Sequence, residues 1–222
     1  MNTLEQTFEN LIGSPNDIKK LENNKSARIL MLSDSHGKPD LVKEIIMLYG
    51  PECDALTFCG DGALDLIKVL TEAKNNSKLL KAIPSVIAMV QGNGDNSQYS
   101  VEFGNNNLII PARQILKVNR HKILIIHGHI EGINWGFDQC GLEAQIAGCN
   151  KIFYGHTHVA AIYNNGDYTF VNPGSCSRPR SGQPSCFAIA TLTKDFADFA
   201  HIKIENGSNG QRKYSTFMPF YY

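Results

Sequence analysis

The sequence predicts a single α/β domain built on mixed β-sheets, parallel in its N-terminal half and antiparallel in its C-terminal half. Two observations carry this. Short apolar runs alternate with amphipathic stretches over residues 28–95, which is the rhythm of strand–loop–helix units. From about Leu108 the rhythm changes to short strands separated by turn residues, as in hairpins. No internal repeat or linker divides the chain.

Composition sets the bounds. The chain has 222 residues, enough to bury a substantial core. Hydrophobic residues make up 42% and charged residues 19%, which excludes a disordered chain. Lys+Arg and Asp+Glu balance at 21 each, so charge gives no reason to expect a nucleic-acid or anionic-membrane partner. The longest apolar run, residues 83–90, is interrupted by Pro84 and Ser85 and falls far short of the roughly 20 residues that span a bilayer. Met1-Asn2-Thr3-Leu4-Glu5 lacks the basic and apolar regions of a signal peptide, so a cytoplasmic location is expected. The six cysteines (53, 59, 140, 149, 176 and 186) form no Cys-x-x-Cys pair. They are expected as buried thiols, not as a disulfide framework or zinc ribbon.

Residues 1–27 are polar, with Leu4, Phe8, Leu11 and Ile12 at helical spacing. A short amphipathic helix is expected there, broken at Gly13-Ser14-Pro15-Asn16, in an extension outside the core domain. Residues 28–33 read as a buried strand. After Ser33-Asp34-Ser35-His36-Gly37, Pro39 opens a helix whose apolar stripe includes Leu41, Val42, Ile45 and Ile46 and which stops at Gly50. Residues 55–59 and 63–73 repeat strand and helix around Gly60-Asp61, and a third strand at 85–90 leads into Gly92-Asn93-Gly94-Asp95. Short strands are expected at 108–110 and 114–118, and the Asn119-Arg120-His121 turn brings in a strand at 122–126 that ends at His127-Gly128-His129. Residues 131–137 are a loop, and Asp138 can cap a helix over 139–149. A strand at 151–154 precedes Gly155-His156-Thr157-His158. Residues 159–163 and 168–171 form a hairpin about Asn164-Asn165-Gly166-Asp167, followed by Asn172-Pro173-Gly174-Ser175. Strands at 186–192 and 196–204 close the domain, placed at 28–205. The tail 206–222 is loop-like, then aromatic (Tyr214, Phe217, Phe220, Tyr221, Tyr222), and is expected to dock on the body or to serve self-association.

Five strand ends carry metal-type residues: Asp34 and His36, Asp61, Asn93, His127, and His156 with His158. Strands of an open α/β sheet present their carboxyl ends at one edge, so these distant clusters can converge. Carboxylate, imidazole and amide carbonyl are intermediate-to-hard ligands that suit manganese, iron, zinc or cobalt, and they do not make a thiolate zinc site. With His129 beside His127, five of the seven histidines fall in the clusters, whereas His121 and His201 read as structural or surface.

Asp-x-His, Gly-Asp, Gly-Asn-x-Asp, His-Gly-His and Gly-His-x-His, in this order, resemble the calcineurin-like metallophosphoesterases. Asn172-Pro173-Gly174-Ser175 resembles the small bacterial and archaeal phosphodiesterase branch. The resemblance covers about residues 28–204. It implies a four-layer α/β/β/α sandwich of two mixed sheets flanked by helices, and a dinuclear site. One divalent ion would be held by Asp34, His36, Asp61 and His158, and the other by Asp61, Asn93, His127 and His156, with Asp61 shared. Manganese is the expected ion, with zinc, iron, cobalt, nickel or magnesium as alternatives. The implied reaction is phosphodiester hydrolysis by in-line attack of a metal-bridging hydroxide on a small phosphate-ester substrate.

One position departs from the pattern. Many family phosphatases place His after the motif Asn, where it can protonate the leaving group, and here Gly94 and then Asp95 follow. This favours diesters with acidic leaving groups, or leaves the work to a water or to Asp95 orienting another group, while His129 is a candidate to support a ligand or to hydrogen-bond the substrate. Arg178 and Arg180 are candidates to grip phosphate. Trp135 is a candidate to stack on a base or aryl group, with packing on the neighbouring helix as its alternative. Rival functions are a non-catalytic protein-binding scaffold of the same fold, a dinucleoside polyphosphate hydrolase and a phosphoprotein phosphatase.

Overall fold

A computed structural model describes residues 1–207 and 210–221. Ser208, Asn209 and Tyr222, the last of these counted with the aromatic tail, lie outside the described residues. In chain order the helices are α1 (Pro15–Asn23), α2 (Pro39–Tyr49), α3 (Ala63–Asn75), α4 (Ser77–Ala82) and α5 (Asp138–Ala147). The first seven strands are β1 (Ser26–Leu32), β2 (Ala55–Phe58), β3 (Val86–Met89), β4 (Gln98–Ser100), β5 (Asn107–Ile109), β6 (Arg113–Val118) and β7 (His121–Ile126). They are followed by β8 (Lys151–Phe153), β9 (Ala161–Asn165), β10 (Tyr168–Asn172), β11 (Cys186–Thr193), β12 (Ala197–Asn206), β13 (Arg212–Phe217) and β14 (Phe220–Tyr221).

Two six-stranded sheets form the middle of the molecule, ordered β13-β12-β11-β1-β2-β3 and β14-β9-β10-β8-β7-β6, with β4-β5 as a small separate pair. Alternation along each strand divides its side chains between two layers. In β1, Ile29 and Met31 face inward and meet Ile123 and Ile125 of β7 and Phe153 of β8 in the core between the sheets. Leu30 and Leu32 face outward and pack with Val42, Ile45 and Ile46 of α2 and Leu66 and Leu70 of α3. On the far side of the second sheet, Leu124, Ile126 and Phe170 pack with Cys140 and Ala144 of α5. The layers are therefore helix, sheet, sheet, helix, and both sheets are mixed.

The parallel pairs are not confined to the N-terminal half. In the first sheet β1, β2 and β3 run parallel, but in the second β7, β8 and β10 do so as well. The reason is α5, which is the crossover that returns the chain from β7 to a parallel β8. This correction matters for the site, because it brings His127 and Gly155-His156-Thr157-His158 to the same end of one sheet. The β6–β7 hairpin is as expected, and both its turn residues take positive φ, Asn119 +46° and Arg120 +69°.

The termini differ from expectation. No helix spans Leu4 to Ile12. That segment is irregular, α1 begins only at Pro15, and Ser14 caps it by accepting from the Asp17 N–H at 3.1 Å. Nor does the segment stand outside the core. Ile12 forms an antiparallel bridge with Ile87 on the free edge of β3, Leu4 and Ile12 join the outer core, and Leu11 and Leu21 join the inner one. Covering an open strand edge supplied the partner that helical spacing suggested was absent. The tail likewise is strand: β13 extends the first sheet beside β12, and β14 pairs with β9 of the second. Tyr214 packs against the outer core and donates to Glu44 Oε1 at 2.7 Å, while Arg212 pairs with the same carboxylate. The helix near 139–149 is α5, which starts at Asp138 itself, so Asp138 lies in its first turn and Phe137 precedes it without a side-chain cap. All six cysteines are free and buried. No described helix is long and apolar enough to cross a membrane.

Candidate metal centre

Five parallel strands point their carboxyl ends at one place. β1 delivers Asp34 and His36, β2 Asp61, β3 Asn93, β7 His127, and β8 the turn with His156 and His158. Asp34, His36, Asp61, His156 and His158 all have positive φ, between +41° and +65°. Such backbone costs of order 1–3 kcal/mol per non-glycine residue, and it persists only where surrounding contacts enforce it. Its concentration at these positions marks the site.

The residues form two adjoining groups. Ligand-type atoms of Asp34, His36, Asp61 and His158 all lie within 4.8 Å of one another. His158 Nε2 is 3.0 Å from His36 Nε2 and 3.3 Å from Asp34 Oδ1, and His36 Nε2 is 3.7 Å from Asp61 Oδ2. In the second group His127 Nε2 lies 3.2 Å from Asn93 Oδ1 and 3.6 Å from Asp61 Oδ1, and His156 Nδ1 lies 3.1 Å from Asn93 Oδ1. Asp61 thus turns one oxygen to each group.

The donor set fits cations. Asp34 Oδ2 accepts from Ser33 Oγ at 2.6 Å, but its buried Oδ1 has no hydrogen-bond partner. A buried acceptor left unpaired costs about 1–3 kcal/mol, and more if charged. His127 Nδ1–H donates to the Cys59 carbonyl at 2.7 Å, and His158 Nδ1–H to the Arg178 carbonyl at 2.6 Å. Each bond fixes the tautomer that turns an Nε2 lone pair into the site. Two imidazole lone pairs and two carboxylates aimed at one point are what a divalent cation requires. The approach is tight: a Cβ on Gly92 would lie 2.1 Å from Asp61 Oδ1.

The histidines differ electrostatically. Burial lowers the pKa of His36, of His129 and of His156. For His158 burial acts the same way, but the Asp34 carboxylate and the Arg178 carbonyl outweigh it and the pKa is raised. The charges of Arg178 and Arg180 act on His36 and His158 respectively, so both guanidinium groups lie near the first group, on exposed side chains.

The remaining candidates fall around this centre. His129 stacks edge-on to His127 at 5.2 Å between ring centroids, and its buried Nδ1 has no partner. Trp135 does not pack on α5. It is 94% exposed, on a loop whose Asn134 reaches His156 Nε2 at 3.1 Å. Asp95 turns away from both groups and accepts four backbone N–H groups, from Asp61, Gly62, Ala63 and Gly92.

Several contributing residues escaped the sequence reading. Asn172 Nδ2 donates to the Gly155 carbonyl at 2.8 Å and to Thr157 Oγ1 at 3.0 Å. Ser175 Oγ donates to the Asp34 carbonyl at 2.7 Å, and Ser177 Oγ to the Ser35 carbonyl at 2.8 Å. The Asn-Pro-Gly-Ser element was visible as a motif, but its work as a brace for two ligand turns was not. Asp65, buried on α3, accepts from Ser35 Oγ and from the N–H groups of Gly37 and Lys38. An acid in a first helical turn ordinarily reads as a dipole partner, so nothing in the sequence set it apart.

The chain is similar to several known proteins. The chain is 29% identical over 186 residues to the probable metallophosphoesterase YsnB of Bacillus subtilis, covering 82% of this chain and 96% of the relative. It is 25% identical over 173 residues to the phosphodiesterase YfcE of Escherichia coli, covering 73% of this chain and 86% of the relative. A predicted phosphoesterase from Streptococcus pneumoniae, known by its crystal structure, superposes with TM-score 0.62 at 27% identity over 86% of this chain and 98% of its own. Chaetomium thermophilum Vps29 superposes with TM-score 0.63 over 87% of this chain and 98% of its own, but at 15% identity it attests the fold alone. Residues 28–195 match the calcineurin-like phosphoesterase superfamily domain, and the chain belongs to that family.

Proposed function

We propose that this protein is a phosphodiesterase that works with two divalent metal ions, manganese being the expected ion. The observation that carries the reading is the convergence of Asp34, His36, Asp61 and His158 around the buried Asp34 Oδ1, which faces the His158 ring at 3.3 Å and has no hydrogen-bond partner, beside a second group that shares Asp61. Asp34, His36, Asp61 and His158 would hold one ion, and Asp61, Asn93, His127 and His156 the other. When bound, the ions supply an activated water nucleophile and Lewis acidity toward the phosphoryl oxygens.

The chain's own residues set the rest. Asn93 offers a neutral carbonyl, so an ion on its side keeps more of its positive charge for an anionic substrate. Arg178 and Arg180 add positive charge at the rim and attract the phosphate. His129, kept neutral at pH 7 by burial, serves as a hydrogen-bond partner for a substrate oxygen and not as a strong acid. Gly94 has no side chain to protonate a leaving group, and its N–H donates to Asp61 Oδ1 at 2.8 Å. Diesters with acidic leaving groups, aryl esters above all, therefore suit the site better than alkyl monoesters.

The test is turnover of bis(p-nitrophenyl) phosphate by purified protein with Mn²⁺. Cyclic nucleotides, dinucleoside polyphosphates and p-nitrophenyl phosphate complete the panel. Aryl diester hydrolysis that disappears in Asp61→Ala is expected. Undiminished turnover in Asp61→Ala, or a preference for the monoester, would overturn the reading.

A further inference from the structure

Two carboxylates stand behind the ligand clusters without facing them. Asp95 uses both oxygens: Oδ2 accepts from the N–H groups of Asp61 at 2.8 Å and Gly92 at 2.9 Å, and Oδ1 from those of Gly62 at 3.1 Å and Ala63 at 2.9 Å. A carboxylate has about four acceptor positions, so Asp95 is saturated. It has none left for a metal, and a proton on either oxygen would cost backbone bonds. Asp65, 3% exposed, uses one oxygen: Oδ2 accepts from Ser35 Oγ at 2.6 Å and from the N–H groups of Gly37 at 2.8 Å and Lys38 at 3.0 Å.

The loops they hold are the strained ones. Asp65 grips both sides of His36, at φ +41°, in the turn that begins with Asp34 at +53°. Asp95 grips Asp61, at φ +53°, together with Gly92, the neighbour of Asn93. Both anchors run through the start of α3, since Ala63 is its first residue and Asp65 lies in its first turn. The first turn of α3 is therefore the piece against which the loops from β1, β2 and β3 are set.

We propose that Asp65 and Asp95 are positioning residues, each fixing the backbone of one set of metal ligands. Asp65 holds the turn with Asp34 and His36. Asp95 holds Asp61, which both ions share, and the turn that carries Asn93. This rests on the two-ion reading above and deepens it by assigning support residues to each half.

The two carboxylates respond differently to the same substitution. Asp65→Asn can keep its single working oxygen in place, whereas Asp95→Asn must aim an NH₂ group at backbone N–H donors. Loss of a residue that orients metal ligands costs roughly 10–100-fold in metal affinity.

The experiment is calorimetric titration of Mn²⁺ into metal-free wild type, Asp65→Ala, Asp65→Asn and Asp95→Asn, with a thermal melt of each metal-free protein. Expected are two ions in wild type, and one ion weakened at least about 10-fold in Asp65→Ala with the other unchanged. Asp65→Asn should restore that ion largely, and Asp95→Asn should weaken both. Wild type that binds no Mn²⁺ defeats the two-ion reading itself. Wild type that binds two ions, with variants that match it, defeats the positioning roles and leaves the two-ion reading intact. Equal weakening of both ions in Asp65→Ala, in step with a lower melting temperature, also defeats them, because general support of the fold would do that. If Asp65→Ala does not fold, Ser35→Ala decides, since it removes one of the three bonds and must weaken the same single ion. Amide hydrogen exchange gives a metal-free reading: Gly37 and Lys38 should exchange faster in Ser35→Ala, with Gly62 and Ala63 unchanged.

Discussion

Protonation of one buried histidine should make the protein acid-sensitive by a calculable amount. His201 on β12 is 1% exposed. Its Nε2–H donates to the Asn172 carbonyl at 2.8 Å, and its Nδ1 has no partner. Burial pushes its pKa down to about 4, against the Asn172 hydrogen bond, which acts to raise it. The unfolded chain titrates near 6.5, so between about pH 6.5 and 4 it binds a proton that the native state refuses. The contribution of this histidine to stability is thus complete above pH 6.5 and is lost as pH falls. At about 1.4 kcal/mol per unit, the loss approaches 2 kcal/mol by pH 5 and about 3 kcal/mol by pH 4. That is a large share of a stability of about 5–15 kcal/mol. His201→Gln keeps a donor for Asn172 and cannot titrate. Urea unfolding of both proteins in EDTA at pH 7.5, 6.5, 5.5 and 5.0 measures the difference. Far-UV circular dichroism is the signal of choice, because the single tryptophan, Trp135, is 94% exposed and a poor reporter of packing. The wild type should lose about 2 kcal/mol more than His201→Gln between pH 7.5 and 5.0. Since the site histidines are common to both proteins, equal slopes would refute the reasoning.

Two further outcomes are expected. In Gly155→Ala the new Cβ would lie 2.1 Å from Ser33 Oγ, 2.8 Å from the Cys59 carbonyl oxygen and 2.9 Å from Asp34 Oδ2. Overpacking of this kind costs about 1–3 kcal/mol and should also displace Asp34, so Mn²⁺ should raise the melting temperature less than in wild type; an equal rise would contradict the geometry. Ile12→Ala tests the N-terminal segment, which lies before the residues matched to the family. Ile12 is fully buried and bridges to β3, so the change should cost about 2–5 kcal/mol in a urea melt, and a cost under about 0.5 kcal/mol would show that the segment is not part of the core.

The parts of the fold that were legible in the sequence were those where local pattern and final environment agree. β1 is apolar on both faces because both are covered, and α2 shows its buried stripe as Leu41, Val42, Ile45 and Ile46. The termini were illegible because their structure is borrowed. The segment around Ile12 is ordered by the edge of β3, and β13 is a mostly polar edge strand whose partner β12 supplies its register. The ligand-type residues were legible because each sits at a strand end with a glycine nearby. The supports were not. Asp65, Asn172 and Ser175 act on backbone groups of turns far away in sequence, with Ser175 141 residues from Asp34, and no spacing rule encodes such a contact.

The turn after β8 shows why those supports matter. His156 and His158 are two apart, a spacing that suggests a pair serving one ion. The structure separates them. His156 turns Nδ1 toward Asn93 in the second group, and His158 turns Nε2 toward Asp34 and His36 in the first. Alternation along an extended strand would send both rings to the same face. Here His156 and His158 both stand at positive φ, +65° and +59°, so the segment is not extended. Asn172 holds it from outside by binding the Gly155 carbonyl and Thr157 Oγ1, and Arg178 fixes the His158 ring through its carbonyl. Asn172 is in turn the acceptor for His201, so the buried histidine and the ligand turn meet at one residue. The division of two neighbouring imidazoles between two ligand groups is therefore a property of the backbone and its braces, and the His-x-His spacing alone does not produce it.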